Sequence, residues 1–210
     1  MISVSPLVAG FARFRAQHIA RGDVVYRQLV ENGQQPKILI VGCCDSRVDP
    51  ALIFDCEPGD LFVIRNVANL VPPNETEDRG YHGTSAALEY GVCNLAVQHI
   101  IVLGHAYCGG IKALMEDGGS SAHSYMDEWV KLVDEARLSV ARDCAEASAE
   151  QRSRECEKRA ILVSLQNLLT FPWIKRRVAA GSLQLHGWYF EIESGLLLAY
   201  NDATACFEAL

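Results

Sequence analysis

Two stretches of sequence decide the fold, KILIVGCCDSR at residues 37–47 and HIIVLGHAYCGG at residues 99–110. Each begins with a nearly continuous apolar run, which is typical of a strand buried on both faces of a parallel sheet. A third run of this kind is LFVIR at residues 61–65. Because helical segments alternate with these strands, the sequence predicts an α/β fold with a central, mostly parallel β-sheet flanked by helices.

The N-terminal region predicts a helical arm. Leu7, Phe11 and Phe14 recur at helical spacing, so they would form one apolar face of an amphipathic helix. A second helix is expected at about residues 23–31, closed by Asn32-Gly33, because glycine favours the conformation that ends a helix.

The C-terminal region predicts a strand hairpin. Residues 184–191 and 196–200 have the pattern of two strands joined by a tight turn. We therefore expect a single domain over residues 1–210, in which a helical arm at residues 1–33 precedes an α/β core at residues 34–210.

Composition limits the partners of this chain. Half of its 210 residues are apolar, 21% are charged, and the formal net charge is −7. An acidic chain is a poor partner for nucleic acid, because neutralising phosphates requires clustered lysine and arginine. There is no unbroken run of about 18 apolar residues, which a membrane-spanning helix needs. We therefore expect neither nucleic acid nor a membrane as a partner.

The cysteine content bears on the cellular compartment. The apolar run at residues 2–11 is interrupted by Pro6 and Gly10 and has no basic residues ahead of it, which argues against a secretion signal. We therefore expect a cytoplasmic protein. In a reducing compartment, eight cysteines more often indicate metal binding or catalysis than disulfides.

Cysteine and histidine side chains follow two of the predicted strands. Cys43 ends the first strand, His105 ends the strand that begins at His99, and Cys108 follows three residues later. Ligand sites of open α/β sheets form at these carboxyl ends, so the three side chains converge if the strands are neighbours. Two thiolates and one imidazole are typical of Zn²⁺, and three protein ligands leave a fourth position for water, as in catalytic sites.

Asp45 and Arg47 lie directly beyond the first cysteine ligand. A guanidinium binds a carboxylate through paired hydrogen bonds, so we expect Arg47 to hold Asp45 away from the metal. The anionic Asp45 would then only accept hydrogen bonds, and it would orient a protonated oxygen of hydroxide or bicarbonate. This arrangement predicts the attack of a zinc-bound hydroxide on a small electrophilic carbon.

The two motifs together resemble those of the β-class carbonic anhydrases. Cys-x-Asp-x-Arg at residues 43–47 is followed by His-x-x-Cys-Gly-Gly at residues 105–110. The segments PGDLFVIRNVANLVPP at residues 58–73 and GTSAALEYGV at residues 83–92 are also similar to family segments, and the plant-type branch matches best. The resemblance implies the reversible hydration of CO₂ to bicarbonate and a proton, with one Zn²⁺ per chain.

The resemblance also implies the remaining residues of the site. Gln34 lies where the plant-type branch has a glutamine that binds substrate, and Phe62 and Tyr90 lie where it has the walls of the pocket. The backbone N–H of Gly109 would assist in binding bicarbonate. The pocket of such enzymes is completed across a dimer interface. The resemblance therefore implies a homodimer or higher homo-oligomer, in which Gln34, Phe62 and Tyr90 act on the zinc of the partner chain.

Three other functions stay open on the sequence alone. An enzyme of the same fold could hydrolyse carbonyl sulfide or carbon disulfide, because these reactions share the metal and the motif. The zinc site could instead be closed and non-catalytic, and serve only to stabilise the protein. Finally, Cys44, where the family usually has serine, could be the nucleophile of a sulfur-transfer enzyme.

Overall fold

A computed structural model describes residues 3–20, 24–75, 82–117 and 124–210. Six strands form one sheet in the order β2-β1-β3-β4-β5-β6. The first four strands of this order are parallel, and the last two run antiparallel to their neighbours. The strands are β1 Ile38–Cys43, β2 Leu61–Asn66, β3 His99–His105, β4 Gln184–Glu191, β5 Leu196–Asn201 and β6 Cys206–Ala209. The predicted α/β fold is therefore confirmed, and β6 is a strand that the sequence did not reveal.

Helices precede the sheet and connect its strands. They are α1 Ser5–Phe14, α2 Val24–Asn32, α3 Pro50–Ile53, α4 Gly83–Glu89, α5 Gly109–Asp117, α6 Tyr125–Val130, α7 Asp134–Asp143, α8 Ala149–Leu168 and α9 Pro172–Ala179. A π-helical turn continues α1 over Arg15–Ile19, and another continues α4 over Tyr90–Asn94. Within the described part of the chain, no helix is long and apolar enough to cross a membrane.

Local sequence signals set several helix ends. At the start of α8, the Ser148 side chain accepts a hydrogen bond from the Gln151 backbone N–H, and the Gln151 side chain accepts one from the Ser148 N–H. This reciprocal capping box is the one that the spacing of serine and glutamine predicts. Gly33 and Gly181 follow α2 and α9 with φ angles of 73° and 68°, a left-handed conformation that glycine adopts without steric cost.

The core lies on both faces of the central strands. Leu39 and Val41 of β1 pack into one buried cluster together with Ile161 of α8, whereas Ile40 belongs to a second cluster that includes Ile101. Successive side chains of a strand point to opposite faces of the sheet. A continuous apolar run therefore contributes side chains to both buried clusters. From β1 the chain connects to β2 on one side and, later, to β3 on the other, so the carboxyl ends of β1 and β3 border a switch point in strand order.

The helical arm leaves apolar surface uncovered. None of the described residues of α1 or α2 is buried. The rings of Phe14 and Tyr26 pack edge to face at 5.5 Å, which holds the two helices together. Leu7 and Phe11 of the amphipathic face are 75% and 62% exposed. An apolar stripe of this kind normally packs against another surface.

The adjacent glycines at the start of α5 allow a direct test of the packing. A Cβ atom at Gly110 would lie 2.8 Å from the Val67 side chain and 3.0 Å from that of Ala68, whereas one at Gly109 would meet no atom within 4 Å. We expect Gly110→Ala to lower the free energy of unfolding by about 1–3 kcal/mol, because it overpacks a close contact. Gly109→Ala is the matched control and should cause no loss of stability. Urea denaturation of the two variants measures the difference, and equal stabilities would contradict this packing.

Candidate active site

Three potential metal ligands meet at the carboxyl ends of β1 and β3. Cys43 is the last residue of β1, His105 is the last residue of β3, and Cys108 directly precedes α5. Their ligand atoms all lie within 4.8 Å of one another, and the three residues are buried. The three side chains converge because β1 and β3 are parallel neighbours in the sheet, as expected from the sequence.

The imidazole of His105 is oriented as in a metal ligand. Its Nδ1 atom lies 2.8 Å from the carbonyl oxygen of Ala106, so Nδ1 donates a hydrogen bond and carries the proton. The other ring nitrogen, Nε2, is buried and has no hydrogen-bond partner among the described residues. A buried nitrogen lone pair without a donor is costly, and a metal ion would satisfy it.

The two thiols favour a bound cation. A hydrogen bond from the Cys108 thiol holds the pKa of the Cys43 thiol well below its usual value, despite burial. For the same reason the pKa of Cys108 is raised, since ionising it would place a second thiolate beside the first. A divalent cation between the two sulfurs would neutralise both thiolates. Two thiolates and one neutral imidazole fit Zn²⁺.

Asp45 and Arg47 form a bidentate pair beside these ligands. Arg47 donates through Nε and Nη2 to the two carboxylate oxygens of Asp45, at 2.9 and 2.7 Å. The Arg47 side chain holds the pKa of the Asp45 carboxyl well below its usual range. Arg47 also donates to the carbonyl oxygen of Tyr107, at 3.1 Å, so the pair is linked to the segment between His105 and Cys108.

Arg65 of β2 holds the segment that carries Cys43 and Asp45. Its guanidinium donates to the carbonyl oxygens of Cys43 and Asp45, both at 2.8 Å, and to the carboxylate of Asp49 at 2.7 Å. Asp49 in turn caps α3 by accepting from the Ala51 N–H. Arg65 was not among the predicted residues of the active site. The available signal was a charged residue at the end of an otherwise apolar strand, LFVIR.

Comparison with known proteins identifies the family. A family model described as carbonic anhydrase matches residues 38–197, which include the Cys43–His105–Cys108 group and the Asp45–Arg47 pair. The chain belongs to the carbonic anhydrase family. Membership confirms the enzyme class, the reversible hydration of CO₂ and the zinc cofactor that the sequence motifs predict.

Relatives place this carbonic anhydrase in the β class. It is 35% identical to Beta carbonic anhydrase 3 of Arabidopsis thaliana over 196 residues, which cover 92% of this chain and 75% of the relative. The solved structure of the β-carbonic anhydrase CcaA matches with a TM-score of 0.91 and 36% identity, over 99% of this chain and 92% of that one. A Coccomyxa β-carbonic anhydrase in complex with acetazolamide matches with a TM-score of 0.80 and 31% identity, over 94% and 86% of the two chains.

The predicted pocket residues of this carbonic anhydrase lie at the surface of the single chain. Gln34 is exposed in the segment between α2 and β1. The rings of Phe62 and Tyr90 pack against each other at 5.9 Å, and Tyr90 is 46% exposed. Gly109 is exposed at the first position of α5. Their part in binding substrate stays a prediction.

Metal analysis tests the ligand group directly. We expect the purified carbonic anhydrase to contain about one zinc per chain and Cys43→Ser to lose most of it, because a hydroxyl is a far weaker zinc ligand than a thiolate. Cys206→Ser removes an exposed thiol of β6 and is the matched control, which should retain its zinc. Elemental analysis gives the metal content, and a Cys43→Ser protein with full zinc would rule out this ligand group.

Proposed function

We propose that this carbonic anhydrase hydrates CO₂ with a Zn²⁺ ion held by Cys43, His105 and Cys108. The observation that carries the assignment is the buried group formed by these three residues, whose ligand atoms all lie within 4.8 Å of one another. The buried, unpartnered Nε2 of His105 supports it. When bound, zinc supplies Lewis acidity, which activates a water molecule as a nucleophile near neutral pH. The protein residues position the reactants and hold the surrounding charges.

Asp45 orients the reacting oxygen in this proposal. Its lowered pKa keeps the carboxylate ionised, so it accepts hydrogen bonds and donates none. Both of its oxygens accept from Arg47, which keeps the side chain from turning towards the metal. A protonated oxygen of water or bicarbonate can still donate to a free lone pair of Asp45, because each carboxylate oxygen can accept more than one hydrogen bond.

Three backbone contacts fix the position of this pair relative to the proposed zinc ligands. Arg47 contacts the carbonyl oxygen of Tyr107, next to Cys108, and Arg65 contacts the carbonyl oxygens of Cys43 and Asp45. Position matters here, because small displacements of an orienting group reduce the rate strongly. Gly109 is proposed to donate its backbone N–H to bicarbonate at the start of α5, where N–H groups are free of partners within the helix.

Replacing Asp45 separates its chemical role from its structural one. Asp45→Asn keeps the size of the side chain but replaces one carboxylate oxygen, an acceptor, by an amide NH₂ group, which donates hydrogen bonds. We expect CO₂ hydration to fall by about 100-fold, the scale for a positioned acid–base group. The free energy of unfolding should change by no more than about 1 kcal/mol, as for other exposed ion pairs. Stopped-flow hydration assays and urea denaturation measure the two quantities.

A remote carboxylate provides the control for Asp45. Asp143 also accepts from arginines, with contacts of 2.8 Å to Arg142 and 2.7 Å to Arg159. Asp143→Asn should therefore leave CO₂ hydration unchanged. Full activity in Asp45→Asn would remove Asp45 from the mechanism.

The enzyme is further proposed to act as a homodimer or a higher homo-oligomer. The exposed apolar face of α1, with Leu7 and Phe11, would pack against a second subunit. The related β-carbonic anhydrases of Sordaria macrospora, one of which matches with a TM-score of 0.73 and 28% identity over 98% of this chain and 95% of that one, are described as tetrameric. In such an assembly, Gln34, Phe62 and Tyr90 would complete the pocket of the neighbouring subunit.

Mixing two inactive variants tests whether Gln34 acts across the interface. A dimer of one Gln34→Ala chain and one Cys43→Ser chain contains one complete site only if Gln34 serves the partner's zinc. Random pairing makes half of the dimers mixed, so co-expressed chains should recover about a quarter of the wild-type activity per chain. If Gln34 serves its own chain, the mixture will show only the mean activity of the two separate variants. Stopped-flow assays of the co-purified proteins decide between the two outcomes.

A cytoplasmic location is also proposed. The zinc-binding thiolates Cys43 and Cys108 must stay reduced, and all eight cysteines of the chain are free thiols in the structure. A reducing compartment such as the cytoplasm preserves them in this form.

A further inference from the structure

A buried carboxylate lies behind the metal ligands. Glu157 is located in the middle of α8, and only 2% of its surface is exposed. A carboxylate is almost never buried to this degree unless it is paired. Glu157 belongs to no motif singled out in the sequence, and the roles proposed above do not use it.

Three donors converge on the two oxygens of Glu157. The backbone N–H of Cys108 donates to Oε1 at 2.9 Å, and the hydroxyl of Tyr189 donates to Oε2 at 2.6 Å. The guanidinium of Arg154 lies 3.2–3.3 Å from both oxygens. Since both oxygens accept hydrogen bonds, Tyr189 and Arg154 together fix the orientation of the carboxylate.

Side chains from other parts of the chain hold the segment that receives this contact. Tyr107, between the two ligands His105 and Cys108, has a φ angle of 60°, a left-handed conformation that is unfavourable for a residue other than glycine. Such a conformation persists when surrounding contacts determine it. Arg47 binds the Tyr107 carbonyl, the Arg154 guanidinium lies 3.3 Å above the centre of the Tyr107 ring, and Glu157 binds the next N–H along the chain.

We propose that Glu157, oriented by Tyr189 and Arg154, is a positioning residue that fixes the backbone of Cys108 so that its sulfur is directed at the metal. The inference rests on the proposed zinc site, and it assigns to α8 a role in metal retention. Groups that hold the ligands of a metal commonly change its affinity by 10- to 100-fold when they are removed. Cys43 has a corresponding support in Arg65, which binds its carbonyl oxygen.

Two substitutions at Glu157 separate hydrogen bonding from charge. Glu157→Gln keeps an oxygen that can accept from the Cys108 N–H, whereas Glu157→Met keeps a similar volume but has no such acceptor. We expect a chromogenic chelator to remove zinc from Glu157→Met at least about tenfold faster than from wild type. Release from Glu157→Gln should stay within about threefold of wild type, because the amide restores the contact.

Cobalt substitution gives a readout independent of activity. In the Co²⁺ form, thiolate-to-metal charge-transfer absorption reports the Cys43 and Cys108 bonds. The intensity of this absorption should fall in Glu157→Met and recover in Glu157→Gln. Glu155→Gln is the matched control, since Glu155 lies on the same helix, has a side chain that is 40% exposed and contacts Arg159 instead. It should release zinc at the wild-type rate.

The outcomes distinguish this inference from the proposed function. If the wild-type protein binds no zinc or does not hydrate CO₂, the proposed function fails. If wild type binds zinc and is active while folded Glu157→Met releases zinc at the wild-type rate, only the role of Glu157 is overturned. Equal acceleration in Glu157→Gln and Glu157→Met also overturns it, because charge rather than the Cys108 contact would then be responsible.

Glu157→Asp provides a second test of the proposal if Glu157→Met does not fold. Glu157→Asp retains the charge but draws the oxygens away from the Cys108 N–H by one methylene. We expect zinc release at least about tenfold faster in Glu157→Asp, and a wild-type rate in this variant would likewise overturn the proposal.

Discussion

The parallel pairing of β1 with β3 is the constraint on which the rest of the site depends. Both strands run in the same direction, so Cys43 and His105 reach the same edge of the sheet. β2 lies on the opposite side of β1 from β3. Where the strand order reverses in this way, a crevice forms at the carboxyl ends of the strands. The buried clusters on both faces of β1 fix its register and thereby the position of the ligands.

The ligands are held mainly through the backbone, by charged side chains from other elements. Arg65 binds the carbonyl oxygen of Cys43, Arg47 binds that of Tyr107, and Glu157 accepts from the N–H of Cys108. Backbone groups in turns lack partners in the regular ladders, and burying them unpaired is costly. The same contacts that satisfy these groups therefore also limit the movement of the metal-binding atoms.

The single chain leaves one part of the structure incomplete. The arm formed by α1 and α2 contains no buried residue in its described part, and the pocket residues Gln34 and Tyr90 are exposed. The proposed homo-oligomer accounts for both features, since a second subunit is proposed to cover the arm and to complete the pocket.

The sequence by itself determined the central strands and the capping box of α8, because these depend on hydrophobic periodicity and on residue types at short spacing. It named Cys43, His105 and Cys108 as candidate ligands, but their approach depends on the pairing of β1 with β3. It also indicated the Asp45–Arg47 pair, whose members are two residues apart. The short α3, strand β6 and the contacts of Arg65 and Glu157 were decided only by the tertiary structure. Glu157 reaches Cys108 from a helix far along the chain, and no local pattern encodes such a meeting, because it depends on how α8 packs across the sheet.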